Sequence, residues 1–229
     1  IGKSSISATE FPPSMKSDRR ELDSKQSSQG KIAVATDFEG IFNDGTEISK
    51  TDFVAFLFET NGKKVYFPQG HYKFMNDATK INPEINIDWV GAGPELTKLI
   101  GFNGFAPQGG SISLRKMNFS STNSILVYTS KLSSNLTKSI NLTIDNVNFR
   151  DIKEIVIATR GASNGFGSIR LTNVNVNKLR HNSQCLRIDN RIDSVYVNNF
   201  NVNNITGDST WTRIIHLGSG ADVSSYVNY

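Results

Sequence analysis

Between residues 111 and 203 one arrangement of apolar positions recurs four times, at offsets 0, 2, 5 and 7. It runs Ile112, Leu114, Met117, Phe119; then Leu142, Ile144, Val147, Phe149; then Ile169, Leu171, Val174, Val176; and last Val195, Val197, Phe200, Val202. A fainter copy, Ile85, Ile87, Val90, Ala92, precedes them, and the copies start 27, 30, 27 and 26 residues apart. Positions two apart share a face of a strand. The step of three in the middle therefore requires a bend that turns the backbone while keeping both apolar pairs inside. The bends fall at Asp88-Trp89, Arg115-Lys116, Asp145-Asn146, Thr172-Asn173 and Asn198-Asn199, mostly polar residues suited to turns. Second apolar runs lie between the copies, at 125–128, 155–158, 186–188 and 214–217, with starts 30, 31 and 28 residues apart. Strand, bend, strand, second strand, repeated at this period, predicts a parallel β-helix with adjacent coils about 4.8 Å apart. Its interior rows should hold Ile112, Leu114, Leu142, Ile144, Ile169, Leu171, Val195 and Val197. The Asn residues repeated at the bends, among them Asn146, Asn173, Asn175, Asn199 and Asn201, are expected to stack and hydrogen-bond along the axis.

The residues before the repeat read differently. Residues 1–30 are rich in Ser, Lys, Asp and Arg with little periodicity, and read as a linker or attachment arm. Ser49 followed by Asp52 resembles an N-cap ahead of Phe53, Val54, Phe56 and Leu57, so a short amphipathic helix is predicted over 51–60, stopped by Asn61-Gly62. A solenoid leaves the apolar end of its first coil open, and this helix is expected to close it. Residues 64–74 then read as strand, Pro-Gln-Gly turn, strand. At the other end, the run from Asp222 to Tyr229 starts where another coil is due and stops in mid-pattern, so a longer protein or partner chains are expected to complete it.

The succession Asp37-Phe38, Asp44-Gly45-Thr46, helix, Val65-Tyr66-Phe67-Pro68-x-Gly70-x-Tyr72 resembles the opening segment of the pectate-lyase-like right-handed β-helix superfamily, in which phage tailspikes and capsule depolymerases are frequent. Val90-Gly91-Ala92-Gly93 followed by Thr97-Lys98-Leu99-Ile100 is similar to the family's next landmark. The resemblance covers residues 37–101, with Glu39 where the family usually has glycine and with the acidic pair after the turn reduced to Glu47 and Asp52. Taken with the periodicity and composition, it leads to the expectation of an all-β, right-handed parallel β-helix with a short N-terminal capping helix: an arm over 1–30, the opening and cap over 31–101, and coils over 102–229, expected to be truncated at the C-terminus. It further implies an extracellular virion tail protein, a homotrimer joined to other tail proteins through the arm and acting on a bacterial surface glycan.

Composition narrows this only a little. The formal net charge is +4 and no Lys/Arg-rich run marks a nucleic-acid surface. No stretch approaches the roughly 18 apolar residues of a membrane span, so no membrane insertion is expected. The single cysteine, Cys185, lies in an apolar strand and reads as buried filler. No cofactor or metal is expected, since His71 and His181 have no ligand partners at suitable spacing.

If Ile155 and Ile157, Leu186 and Ile188, and Ile215 and Leu217 point inward, the outward residues of the second sheet are Glu154, Arg187, Asp189 and His216. Carboxylates on adjacent coils would lie about 5 Å apart and two coils apart about 10 Å, separations that bracket the two glycosidase geometries. Glu154 and Asp189 are thus the candidate acid and nucleophile, with His216 as a proton-transfer partner of Asp189. A lyase would use Arg187, Arg191 or Arg213 against a substrate carboxylate. Trp211, Tyr128 and Tyr196 are candidates to stack on sugar rings, and Val156 and Ile214, read as outward, would suit burial between chains. The same positions also suit a non-catalytic, receptor-binding β-helix in which outward charges are solvated ion pairs. Hydrolase, lyase and binding-only readings stay open.

Overall fold

The computed structural model describes residues 32–74, 79–80, 84–128, 139–158, 166–179, 184–188, 192–204 and 213–217. The expected arm over 1–30 and the expected C-terminal coil start over 222–229 lie outside them. The described residues from Ala33 on form a parallel β-solenoid of about five turns with one α-helix. In chain order the strands are β1 (Ala33–Val34), β2 (Asp44–Ile48), β3 (Lys64–Phe67), β4 (Gly70–Phe74), β5 (Thr79–Lys80), β6 (Ile85–Gly91), β7 (Thr97–Ile100) and β8 (Phe105–Ala106). They continue with β9 (Gly110–Ser120), β10 (Leu126–Tyr128), β11 (Ile140–Arg150), β12 (Val156–Ala158), β13 (Phe166–Val176), β14 (Gln184–Ile188), β15 (Ile192–Val202) and β16 (Arg213–Leu217). The helix α1 spans Lys50–Glu59.

Two sheets result. The long one runs β1-β3-β6-β9-β11-β13-β15, with β2, β4 and β7 joining it at β9, and the short one runs β5-β8-β10-β12-β14-β16. In the early coils the bent strand is two separate strands, β3 with β4 and β6 with β7. From β9 onward each pair fuses into one strand of 11 residues. The register follows the repeat: Ile112 pairs with Leu142, Leu142 with Ile169, and Ile169 with Val195. Of the predicted interior residues, all but Val197 are buried, and Val197 packs partly buried against the core with Phe200 and Val202 on β15. Burying such a Leu or Ile stabilises the fold by about 1.5–3 kcal/mol.

Each bend is made by one residue in the left-handed region: Lys116 at φ 54°, Asn146 at 53°, Asn173 at 52° and Asn199 at 51°. Asn tolerates this conformation better than other non-glycine residues, so its recurrence is a backbone requirement before it is anything else. The amides then join coil to coil. Asn199 Nδ2 donates to Asn173 Oδ1 at 2.9 Å, and Asn173 donates to Asp145 at 3.3 Å. A second ladder runs Asn201 to Asn175 to Asn148 at 3.2 and 3.1 Å, and Asn148 donates to Glu95 at 2.9 Å.

The helix caps the first coil as expected. Ser49 Oγ accepts from the Asp52 amide at 3.1 Å and donates to its carboxylate at 2.6 Å. Phe53, Phe56 and Leu57 face inward, where Phe53 and Phe56 meet Trp89 with ring centroids 6.3 and 5.8 Å apart. The residues that carry the family resemblance are structural. A Cβ on Gly70 (φ 152°) would lie 2.3 Å from the Asn43 carbonyl oxygen, and one on Gly91 would lie 2.3 Å from that of Lys116. Tyr72 is fully buried and its hydroxyl donates to the Pro68 carbonyl at 3.1 Å. Thr97 Oγ1 accepts from the Ala92 amide at 2.9 Å and contacts the Phe67 carbonyl oxygen at 3.1 Å.

Two register expectations need correction. In the faint first copy, Ile87 and Trp89, not Ile85 and Ile87, pair with Ile112 and Leu114. Trp89 is a core residue and not part of a bend, and Leu99 on β7 takes the place opposite Phe119. In the short sheet Val156 pairs with Leu186, which pairs with Ile215, and Ile157 pairs with Arg187, which pairs with His216. Val156, expected to face outward, is fully buried. The physical reason is a corner at the start of β12, where Ile155 is also buried and its amide donates to the Cys185 carbonyl at 2.8 Å. Cys185 is itself buried, which pushes its thiol up to about 12 and leaves it inert as a nucleophile. The side chain of Ile214 lies outside the described residues.

Candidate functional site

The short sheet places the expected catalytic residues as follows. Glu154 was expected to face outward, but its side chain is only 4% exposed, tucked into the corner before β12, with its amide donating to the Asn123 carbonyl at 2.8 Å. Burial raises its carboxyl above the ordinary glutamate value, and the positive charges of Lys153 and Arg187 oppose that shift in part. Arg187 lies on the next coil, half-buried between Leu186 and Ile188. His216 follows in register with Arg187, and Arg213 in register with Gln184; for both, the backbone alone is described. Asp189, Arg191 and Trp211 lie outside the described residues, as does the side chain of Tyr128. The structure therefore brings Glu154 and Arg187 near one another and aligns the His216 backbone with Arg187, while Asp189, the expected partner of Glu154, lies outside the described residues.

The outward face of the long sheet is more complete. On each coil the apolar pair at offsets 0 and 2 is interleaved with outward side chains that line up in parallel register. One column reads Asp88, Ser113, Thr143, Arg170, Tyr196, and its neighbour reads Val90, Arg115, Asp145, Thr172, Asn198. On the other flank Ser111 Oγ donates to Asn86 at 2.9 Å and Ser168 Oγ donates to Asn141 at 2.9 Å. Parallel pairing keeps these side chains about 4.8 Å apart from coil to coil, so hydroxyls, amides and two guanidinium groups cover a regular surface. Arg115 pairs with Asp88 one coil away. Arg170 is exposed and its guanidinium lies 4.3 Å from the centre of the Tyr196 ring.

Tyr196 was among the sequence candidates; Arg170 was not. The signal for it was present but indirect, because residues 26 apart at equivalent offsets are neighbours once the coil register is known. The loop over residues 92–96 borders this surface, held at its base by Thr97 and at Glu95 by Asn148. Among the described residues no group of three His, Cys, Asp or Glu is placed to hold a metal ion, and no helix is long and apolar enough to cross a membrane. Compared with known proteins, the chain matches no family model, no curated protein and no solved structure.

Proposed function

We propose that this chain is the β-helix of a bacteriophage tail appendage and binds a bacterial surface polysaccharide along the outward face of its long sheet. The observation that carries the reading is that face: ordered, mostly polar columns of Ser, Thr, Asn, Asp and Arg, one of them ending at Tyr196, fixed by strand pairing over several coils. A polysaccharide offers hydroxyls at a repeating spacing and apolar ring faces, which suit regularly spaced hydroxyls and amides beside an aromatic ring. Because the backbone is already held by the sheet, little conformational entropy is lost when these groups bind. The likeness of residues 37–101 to the opening of phage β-helices supports the viral setting, the extracellular location and a homotrimer attached through residues 1–30.

The test is direct. The protein should pull down encapsulated bacteria and their purified surface polysaccharide and ignore stripped cells, and Thr143→Trp, which places a bulky ring mid-face, should weaken binding at least tenfold without lowering the melting temperature. Equal binding by that variant would sink the assignment of this face.

A second reading, cleavage of the bound polymer, has one observation in its favour. Burial holds the Glu154 carboxyl towards its neutral form next to Arg187, as a general acid requires. Incubation with polymer followed by assays for new reducing ends and for the absorbance of unsaturated uronate separates hydrolase, lyase and simple binder. Cleavage that survives Glu154→Gln would place the chemistry elsewhere.

A further inference from the structure

We infer that the polysaccharide recognised by this face is acidic, and that Arg170, stacked on Tyr196, reads its carboxylate or phosphate group. The inference rests on the glycan-binding reading above and adds the chemical class of the ligand.

The two arginines of the face differ in what they touch. Arg115 is engaged by the carboxylate of Asp88 on the preceding coil, so its charge is answered within the protein. Arg170 has no carboxylate partner among the described residues; its contact is the Tyr196 ring at 4.3 Å. The acidic groups nearest in register are already occupied or displaced. Asp145, in the neighbouring column one coil back, accepts from Asn173 at 3.3 Å, and Asp193 lies three residues before Tyr196 on β15.

Stacking makes the guanidinium a better receptor than a free one. The ring lies against the guanidinium and restrains it, and this contact uses none of the five N–H donors, which lie in the plane of the cation. An oxyanion approaching edge-on then accepts a two-pronged pair of hydrogen bonds from a group whose freedom has already been lost. The flanking side chains, Thr143, Thr172 and Asn198, supply neutral hydrogen-bonding groups and no competing charge, so they suit the hydroxyls of the sugar that carries the acid. The site thus fits a uronate-, sialate- or phosphate-bearing repeat unit. Carboxylate and phosphate share this chemistry, and the arms of the test tell them apart.

The test uses the whole chain in affinity electrophoresis through gels containing single bacterial surface polysaccharides, acidic and neutral. The wild type should be retarded by acidic members. Arg170→Gln should raise the apparent Kd for them at least tenfold, Arg170→Lys should fall between, and Lys178→Gln, whose cation pairs with Asp151 at 3.3 Å away from the face, should match wild type. Carboxyl reduction of a retarding polymer should abolish the wild-type advantage if the ligand group is a carboxylate, and dephosphorylation should do so if it is a phosphate. Undiminished retardation of Arg170→Gln, or of wild type by polymer freed of both groups, overturns the inference, as does a preference for neutral members; each leaves glycan binding intact. Retardation by no polysaccharide at all would sink the glycan reading and this inference with it.

Discussion

At the capped end the core is a cluster of aromatic rings closed by one helix; along β9, β11, β13 and β15 it is a set of apolar rows repeated coil after coil. Phe53, Phe56, Phe67, Tyr72, Phe74, Trp89 and Phe102 pack ring on ring, most pairs edge to face and Phe67 with Trp89 tilted, and Phe53 and Phe56 come from α1, which has no counterpart in the later described coils. In the body, Ile112, Leu142, Ile169 and Val195 repeat one position, and each coil contacts mainly its neighbours. The difference teaches where specificity of folding resides. The cap fixes where the coil begins through helix contacts that no other described part of the chain duplicates. The repeat fixes register many times over, which leaves its outward side chains available for recognition.

The largest expected effect is therefore at the cap. Trp89→Ala should destabilise the protein by about 3–5 kcal/mol in chemical denaturation, because the ring is almost fully buried beneath α1 and nothing can move in to replace it. In the body, Leu142→Ala should cost about 2–4 kcal/mol, at the lower side of the range if neighbouring coils close part of the cavity. A smaller loss at Trp89 than at Leu142 would reverse the comparison.

The next effect is a change in pH dependence. The carboxyl of Glu154 is raised in the fold above its ordinary value of 4.5. The native state therefore holds its proton more tightly than the unfolded state, and stability is full below that value and falls as pH rises through the raised one. Glu154→Gln should flatten this slope and make the protein more stable at neutral pH, read from melting temperatures across the range. A variant that melts lower than wild type at pH 7 would mean the carboxylate is held by the fold and not merely tolerated.

The smallest effects lie at the bends. Lys116 holds the left-handed position that Asn fills in the three following coils, so Lys116→Gly should stabilise by about 0.5–1 kcal/mol. Asn175→Ala, which interrupts an exposed amide ladder, should cost only about 0.5–1 kcal/mol.

These residues also explain how far the sequence could be read. The four strong copies were legible because polar residues alternate with apolar ones, and alternation defines a face. The Asn ladders were legible because a coil period places equivalent bends side by side. The first copy was misplaced by two residues because β6 and β7 are parted by residues 92–96, and a run holding Ile85, Ile87, Trp89 and Val90 fits more than one register. In the short sheet β12 alone was read one residue out, because residues 155–158 are apolar without a break and show no period, while Leu186 and Ile188 are buried as expected. That slip is what turned Val156 outward on paper, and the corner before β12 is what buried Glu154. Arg170 escaped notice because a single charge between apolar positions has no signature until the next coil sets Tyr196 beside it.

The central claim is that the outward face of the long sheet meets the glycan, and hydroxyl-radical footprinting of the protein with and without purified surface polysaccharide tests it most directly. Tyr196 should be protected from oxidation by the bound polymer, while Phe42 and Phe58, exposed near the capped end at 43% and 45%, should react as before. Protection confined to the short sheet, around Arg187 and His216, with Tyr196 unchanged would contradict the account.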